Sequence, residues 1–176
     1  MTPADKSTDV TFNRATLYAV AKPFELLAST SSKLADMSAK LNVSTAALQK
    51  LAYAGSTVGI SLEAVGSGIG RMQKNIGEGS KAFAALGLSI DDLKKLQPDQ
   101  AFAAIGERIA GIKNPAEQAA AAVAVFGRSG LEYLPLFKEN ITALTAEAER
   151  MGAVLSDDVI ATGDALDDEL AKLNIT

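Results

Sequence analysis

The sequence predicts an all-α fold, a bundle of short helices joined at Gly/Ser corners and completed by self-association. Three observations predict it. Apolar residues recur at alternating steps of three and four, the spacing that lines one face of a helix. A corner of fixed composition recurs four times between those runs. The apolar content is 48% of the chain but only 5% is aromatic, with no Trp, and the Ala, Leu, Ile and Val that supply the rest favour helix over strand.

Taken in order, residues 1–23 carry no sustained period and read as an arm or a frayed helix. Organisation begins at Phe24 and runs to residue 176. Leu27, Leu34, Met37 and Leu41 form a first seam, Leu48, Leu51, Gly55 and Val58 a second, and Leu62, Val65, Ile69, Met72 and Ile76 a third. Phe102, Ile105, Ile109 and Ile112 follow, then Ile141, Leu144, Ala148 and Met151, then Val159, Gly163, Leu166, Leu170 and Leu173. Such narrow stripes suit either a compact bundle or helices that finish their burial against other copies, and many Ala and Gly residues favour close helix contacts over a deep pocket.

The corners explain where the helices stop. Asn42-Val43-Ser44 precedes Leu48, Gly59-Ile60-Ser61 precedes Val65, Gly87-Leu88-Ser89 precedes Leu93, and Leu155-Ser156 precedes Ile160, with Gly152 slightly earlier. Gly or Asn ends a helix in the left-handed conformation, and Ser accepts from the free N–H groups of the next. The apolar residue before Ser pairs with the one four after it as a hydrophobic staple. Asn114-Pro115-Ala116-Glu117 is the sharpest start, with Asn as cap, Pro at the first helical position and Glu completing a capping-box arrangement. Pro98 opens a helix that reaches Ile112.

Composition excludes several chemistries. There is no Cys and no His, which removes disulfides, thiolate nucleophiles, Ser-His-Asp triads and Cys/His zinc sites. Net charge is −4, with 13 basic against 10 acidic residues up to Lys113 and 4 against 11 from Asn114 onward. Neither part has the basic footprint of a nucleic-acid binder. Leu17–Ala21 is too short for a signal-peptide core, and Ala119–Phe126 is far too short to span a bilayer, so the chain reads as soluble, with no membrane segment.

Candidate sites have plain structural readings beside them. Gly66-Ser67-Gly68-Ile69-Gly70 and Gly77-Glu78-Gly79-Ser80-Lys81 resemble phosphate loops but complete neither pattern, and Gly66 and Gly70 read better as a close approach between helices. Gly55, Gly59-Ile60-Ser61 and Val65 have helix-turn-helix spacing, which raises a DNA-binding alternative in which Ser61, Leu62, Glu63 and Ala64 face bases, with Arg71 and Lys74 nearby. Asp91-Asp92 and Asp157-Asp158 fall in first turns, where the helix dipole stabilises them, and Asp167-Asp168-Glu169 reads as a solvated face. The densest feature is Phe126-Gly127-Arg128-Ser129-Gly130 with Leu131, Tyr133, Leu134, Pro135, Leu136 and Phe137. It reads as a buried corner, with Ser129 capping the next helix and Arg128 reaching carbonyls or a carboxylate; a partner-docking surface is the sharper alternative.

The ordered set Leu86-Gly87-Leu88-Ser89, Pro98 to Ile105, Lys113-Asn114-Pro115-Ala116-Glu117-Gln118-Ala119, Phe126 to Gly130 and Leu134-Pro135-Leu136 resembles the helical domain of phage tail tape measure proteins. The likeness runs from about Lys40 to Leu173 and includes Leu51-Ala52-Tyr53-Ala54. It implies a structural role in a long tail: length determination, occupancy of the tail tube before DNA passes, and genome delivery. It also implies a place in the virion tail after assembly in the host cytoplasm, with self, tail-tube, tail-tip and tail-assembly chaperone proteins as partners. No catalytic residue, cofactor or metal is carried over, and no enzyme activity is expected. Tape measure proteins are usually far longer, so the expectation is either a domain of a longer ruler or a short relative. Outside the family, the alternatives are a helical interaction module or adaptor, which could interfere with tail assembly, and the DNA-binding regulator.

Overall fold

The computed structural model describes residues 30–173, with side chains through residue 165. The expected arm over residues 1–23, Leu27 of the first seam, and the side chains of Leu166, Leu170, Leu173 and Asp167-Asp168-Glu169 lie outside the described residues. Among the described residues there are ten helices and no strand. They are α1 (30–41), α2 (Thr45–Ser56), α3 (Leu62–Gly77), α4 (Ala82–Ala85), α5 (Ile90–Leu93), α6 (Pro98–Ala110), α7 (Pro115–Phe126), α8 (Gly130–Lys138), α9 (Ile141–Arg150) and α10 (Asp157–Leu173).

The helices end where the local chemistry stops them. Asn42 has φ +51°, and Gly59, Gly79, Gly87 and Gly152 have φ between +68° and +79°, the left-handed region that a chain with a Cβ enters only at a cost. At each of these five ends the residue after the turn donates its N–H five residues back: Val43 to Ser38 (3.2 Å), Ile60 to Gly55 (2.9 Å), Ser80 to Asn75 (3.0 Å), Leu88 to Phe83 (2.9 Å) and Ala153 to Ala148 (3.0 Å). These are Schellman closures, which satisfy carbonyls that a helix end otherwise leaves bare. The next helix then starts on a side-chain cap, with Ser44 accepting from Ala47 N–H (3.1 Å), Ser61 from Ala64 (3.2 Å) and Ser156 from Val159 (3.4 Å). Asn114 accepts from Ala116 (2.9 Å) above Pro115.

Two expected caps are absent. Ser89 makes no capping bond, although its backbone is extended as a cap requires. Ser129 has helical φ and ψ rather than the extended conformation a cap needs, so its side chain does not cap α8. The helix opened by Pro98 ends at Ala110, two residues short of Ile112, and its first turn is closed by Gln100, whose side chain accepts from Gln97 N–H (3.1 Å).

The core follows the seams. Leu48, Leu51, Val65, Ile69, Met72, Phe102, Ile105 and Ile109 are buried, and the staple residues Val43, Ile60, Leu93 and Ile160 are buried with them. α3 packs against α2, α6 and α7; α8 packs against α6 and α7; α2 brings in α9 and α10. Two seams are misplaced by the simple spacing. Met151 is 66% exposed, its sulfur accepting the Tyr53 hydroxyl hydrogen bond at 3.2 Å, and α10 turns Ile160 and Gly163 inward while Val159 is 41% exposed.

The corners generate a paired expectation. Nothing stands within 4 Å of a Cβ built at Gly59, so Gly59→Ala costs only the left-handed backbone, about 1 to 2 kcal/mol in urea unfolding. Gly77, equally open but helical, shows the opposite sign, and Gly77→Ala stabilises by up to about 1 kcal/mol.

Candidate functional site

The α7–α8 corner is built by two glycines with different duties. Gly127 has φ +70° and ψ −160°, a conformation essentially restricted to glycine, and it ends α7. Gly130 starts α8 so close to α7 that a Cβ there would lie 2.2 Å from the Ala122 carbonyl oxygen. The turn closes through Gly130 N–H to Gly127 O (2.9 Å) and Glu132 N–H to Ser129 O (3.0 Å). Arg128 is exposed and forms no ion pair among the described residues, so its expected reach to a carboxylate is not made. The guanidinium of Arg71, from α3, lies over Gly127 instead, 3.5 Å from where a Cβ would start.

Behind the corner sits a four-ring cluster. Phe102, Phe126, Tyr133 and Phe137 all touch one another, with centroids 5.4 to 6.0 Å apart, and the three contacts of Phe102 are edge-to-face. That geometry sets positive ring edges against negative faces. Two rings enter notches made by absent side chains. The Tyr133 hydroxyl lies 2.7 Å from a Cβ position at Gly68 and donates to Ala64 O at 2.6 Å; Phe137 lies 2.5 Å from that of Gly106. Leu136 is also buried, Leu134 is half-buried and Pro135, inside α8, is exposed. The motif residues are therefore mostly interior, and the corner is a fastener between α3, α6, α7 and α8.

Four amide side chains that the spacing did not single out hold the other joints. Gln73 donates to Leu41 O (2.7 Å) at the end of α1, Asn75 to Val125 O (2.6 Å) near the end of α7, and Gln118 to Ile109 O (3.1 Å) and Ala110 O (3.3 Å) at the end of α6. Gln49 forms a two-way pair with Leu155, donating to its carbonyl (3.1 Å) and accepting from its N–H (2.8 Å). Gln49, Gln73 and Asn75 each sit beside an apolar seam residue, and that position is the signal that could have marked them; Gln118, between Glu117 and Ala119, carries no such signal.

The other candidates resolve into packing and caps. Gly66, Gly68 and Gly70 lie inside α3; Met37 of α1 fills the space at Gly66, and Leu41 approaches Gly70. Gly77–Lys81 closes α3, with Ser80 accepting from Ala82 N–H at 3.3 Å. Asp91 and Asp92 are exposed in the first turn of α5, and the Lys95 ammonium, hydrogen-bonded to Asp92 at 2.8 Å, holds that carboxyl below its usual range. Glu63 is also held low, first by its own backbone N–H and then by the Ser61 hydroxyl and Lys33. Both shifts run opposite to the raised carboxyl a general acid needs. Asp157 accepts from the Thr45 hydroxyl. Among the described residues no group of three or more acidic, His or Cys side chains could hold a metal, and no helix is long and apolar enough to cross a membrane. Surface grooves of about 450 Å³ and about 440 Å³ lie between α1 and α3 and between α4 and α7.

The fastener yields two expectations. Gly130→Ala forces backbone against backbone and costs about 3 kcal/mol in urea unfolding, more than Gly59→Ala, because the obstructing atom is a carbonyl that cannot swing away. Burial, followed by the charge of Glu132, raises the Tyr133 phenol above its ordinary value. A raised pKa in the folded state stabilises fully below the unfolded value of about 10 and is lost as pH rises through the folded one. Wild-type stability therefore falls above about pH 10 more steeply than that of Tyr133→Phe, which starts about 1 kcal/mol lower at neutral pH. Parallel slopes for the two proteins above pH 10 would show that the phenol is not coupled to folding.

No protein-family model, no curated protein and no solved structure matches this chain.

Proposed function

We propose that the chain is a structural component of a phage or prophage tail, a tape measure protein or a domain of one. The observation that carries this reading is the order and spacing of five sequence segments, from Leu86-Gly87-Leu88-Ser89 to Leu134-Pro135-Leu136. Its support from the fold is that four of these segments act as joints, while Leu134-Pro135-Leu136 lies inside α8. Gly87 turns the chain after α4, Pro98 opens α6, Asn114 and Pro115 start α7, and Phe126 to Gly130 form the fastened corner. In this reading the protein acts by shape and contact, without cofactor or catalysis, against tail-tube, tail-tip and tail-assembly chaperone proteins and further copies of itself.

The DNA-binding alternative asks α3 to read bases. Its exposed stripe is Glu63, Ser67, Arg71, Lys74 and Glu78, balanced in charge, and its first turn carries Glu63 bridged to Lys33 at 3.5 Å. A groove-reading helix presents basic and amide side chains there.

Peptide mass spectrometry on purified particles from the source tests the proposal. Peptides between Lys40 and Lys172 are expected in tail fractions, in a large band if the chain is part of a full-length ruler and near 18.2 kDa if it stands alone. Their absence from particles that contain the other tail proteins overturns the reading.

A further inference from the structure

The helix α7 is apolar on both sides. Between Pro115 and Phe126 its one charged residue is Glu117. Its inner face, with Ala122, Val125 and Phe126, is buried against the aromatic cluster. Its outer face carries Ala116, Ala120, Val123 and Ala124, all exposed. A helix that is apolar all round belongs in an interior, and here half of it faces solvent. The apolar surface continues on both flanks. The groove of about 440 Å³ beside α4 is lined by Leu86 and Ile112 as well as alanines. On the other flank Leu131, 49% exposed, follows the Gly130 that abuts the Val123 backbone.

The charges at its ends indicate what covers it. Glu117 lies at the first turn, exposed on the rim of that groove. Arg128 lies just past the last turn, also exposed, with the Arg71 guanidinium over Gly127 beside it. The next exposed charges outward, Lys113 before the helix and Glu132 after the corner, are again opposite in sign. A second copy laid antiparallel places Glu117 of each chain by the basic end of the other and Lys113 toward Glu132. A parallel copy sets like charge on like. Small side chains along the contact let the two backbones approach closely, and a two-fold arrangement makes every contact twice.

We propose that the outer face of α7, with the flanking α4 groove, is a self-docking surface on which two copies of this chain pair antiparallel about a two-fold axis near Val123. This surface stands on the geometry of α7 and its flanks and holds whether or not the protein belongs to a tail.

The test uses the full chain, whose lack of cysteine gives a clean background for cross-linking. The antiparallel register puts the two Val123 positions side by side and the two Ala116 positions about 20 Å apart along the axis, at 1.5 Å per residue. Under mild oxidation Val123→Cys forms a disulfide-linked dimer and Ala116→Cys does not. Sedimentation across a concentration series shows the mass rising from 18.2 kDa toward twice that value. Ala120→Glu, at an exposed position, stays monomeric with unchanged helicity and melting temperature. Glu117→Arg and Arg128→Glu each raise the dissociation constant roughly tenfold, since each change acts twice, and the double exchange restores it. Cross-linking at both cysteine positions means parallel pairing and overturns the proposal. So does a wild-type chain that stays monomeric throughout, or a dimer that Ala120→Glu leaves intact.

Discussion

Close approach to α3 and α6 is the constraint on which the rest of this structure depends. Met37, Leu41 and Tyr133 all reach the α3 backbone through Gly66, Gly70 and Gly68, and Phe137 reaches α6 through Gly106. Three glycines within one helix cost it roughly 1 kcal/mol each against alanine. Burial of large side chains offsets that, since a fully buried aromatic contributes about 1.5 to 3 kcal/mol relative to an exposed one. The exchange works only if the incoming side chain fills its notch, and the four-ring cluster ensures that it does. Tyr133 cannot leave Gly68 without breaking its contacts to Phe102, Phe126 and Phe137 together.

A chain of short helices has many ends, and each end has carbonyls that need donors. Two devices supply them. The Schellman turns serve ends that lead straight into the next helix, and after Asn42, Gly59 and Gly152 a Ser cap follows within four residues. The amide side chains of Gln73, Asn75 and Gln118 serve the last turns of α1, α7 and α6. The second device is long-range for the first two: Asn75 and Val125 are 50 residues apart, and Gln73 and Leu41 are 32 apart. Local turns thus set the angle between neighbours, and amides tie together helices that the turns alone would leave free to swing.

This division explains what could be read from the sequence. The corners at Asn42, Gly59, Gly87 and Gly152 were legible because turn residue, cap and staple lie side by side in the chain. The Phe126 to Gly130 corner was legible as a buried joint for the same reason. The close approach at Gly66 and Gly70 was legible from their spacing, whereas the notches at Gly68 and Gly106 were not, because nothing near them announces that Tyr133 and Phe137 fill them. On α10 the expected Gly163 does face inward, but Ile160 is buried in place of its neighbour Val159, two residues of similar hydrophobicity between which only packing against α2 decides. Ser89 and Ser129 show the limit of a composition rule. A cap needs both an extended backbone and a hydroxyl bonded to the next turn; Ser129 lacks the first, and Ser89 lacks the second.

The same division orders the parts by how firmly they are held. Helices of four to seventeen residues are marginal alone, so each depends on the faces it buries. α3, α6, α7 and α8 share one aromatic cluster, and loss of any one of them exposes rings belonging to the others. The α9–α10 segment is joined differently. It meets α2 through the Gln49–Leu155 pair, the Lys50–Glu149 ion pair and the Thr45–Asp157 hydrogen bond, polar contacts that water can replace at small cost. Among the described residues its buried apolar anchors are Ile141, Ala148 and Ile160, with Leu144 and Leu155 packed against the core beside them. The α3–α8 body therefore forms the cooperative centre of the fold, and the acidic α9–α10 segment joins it through α2.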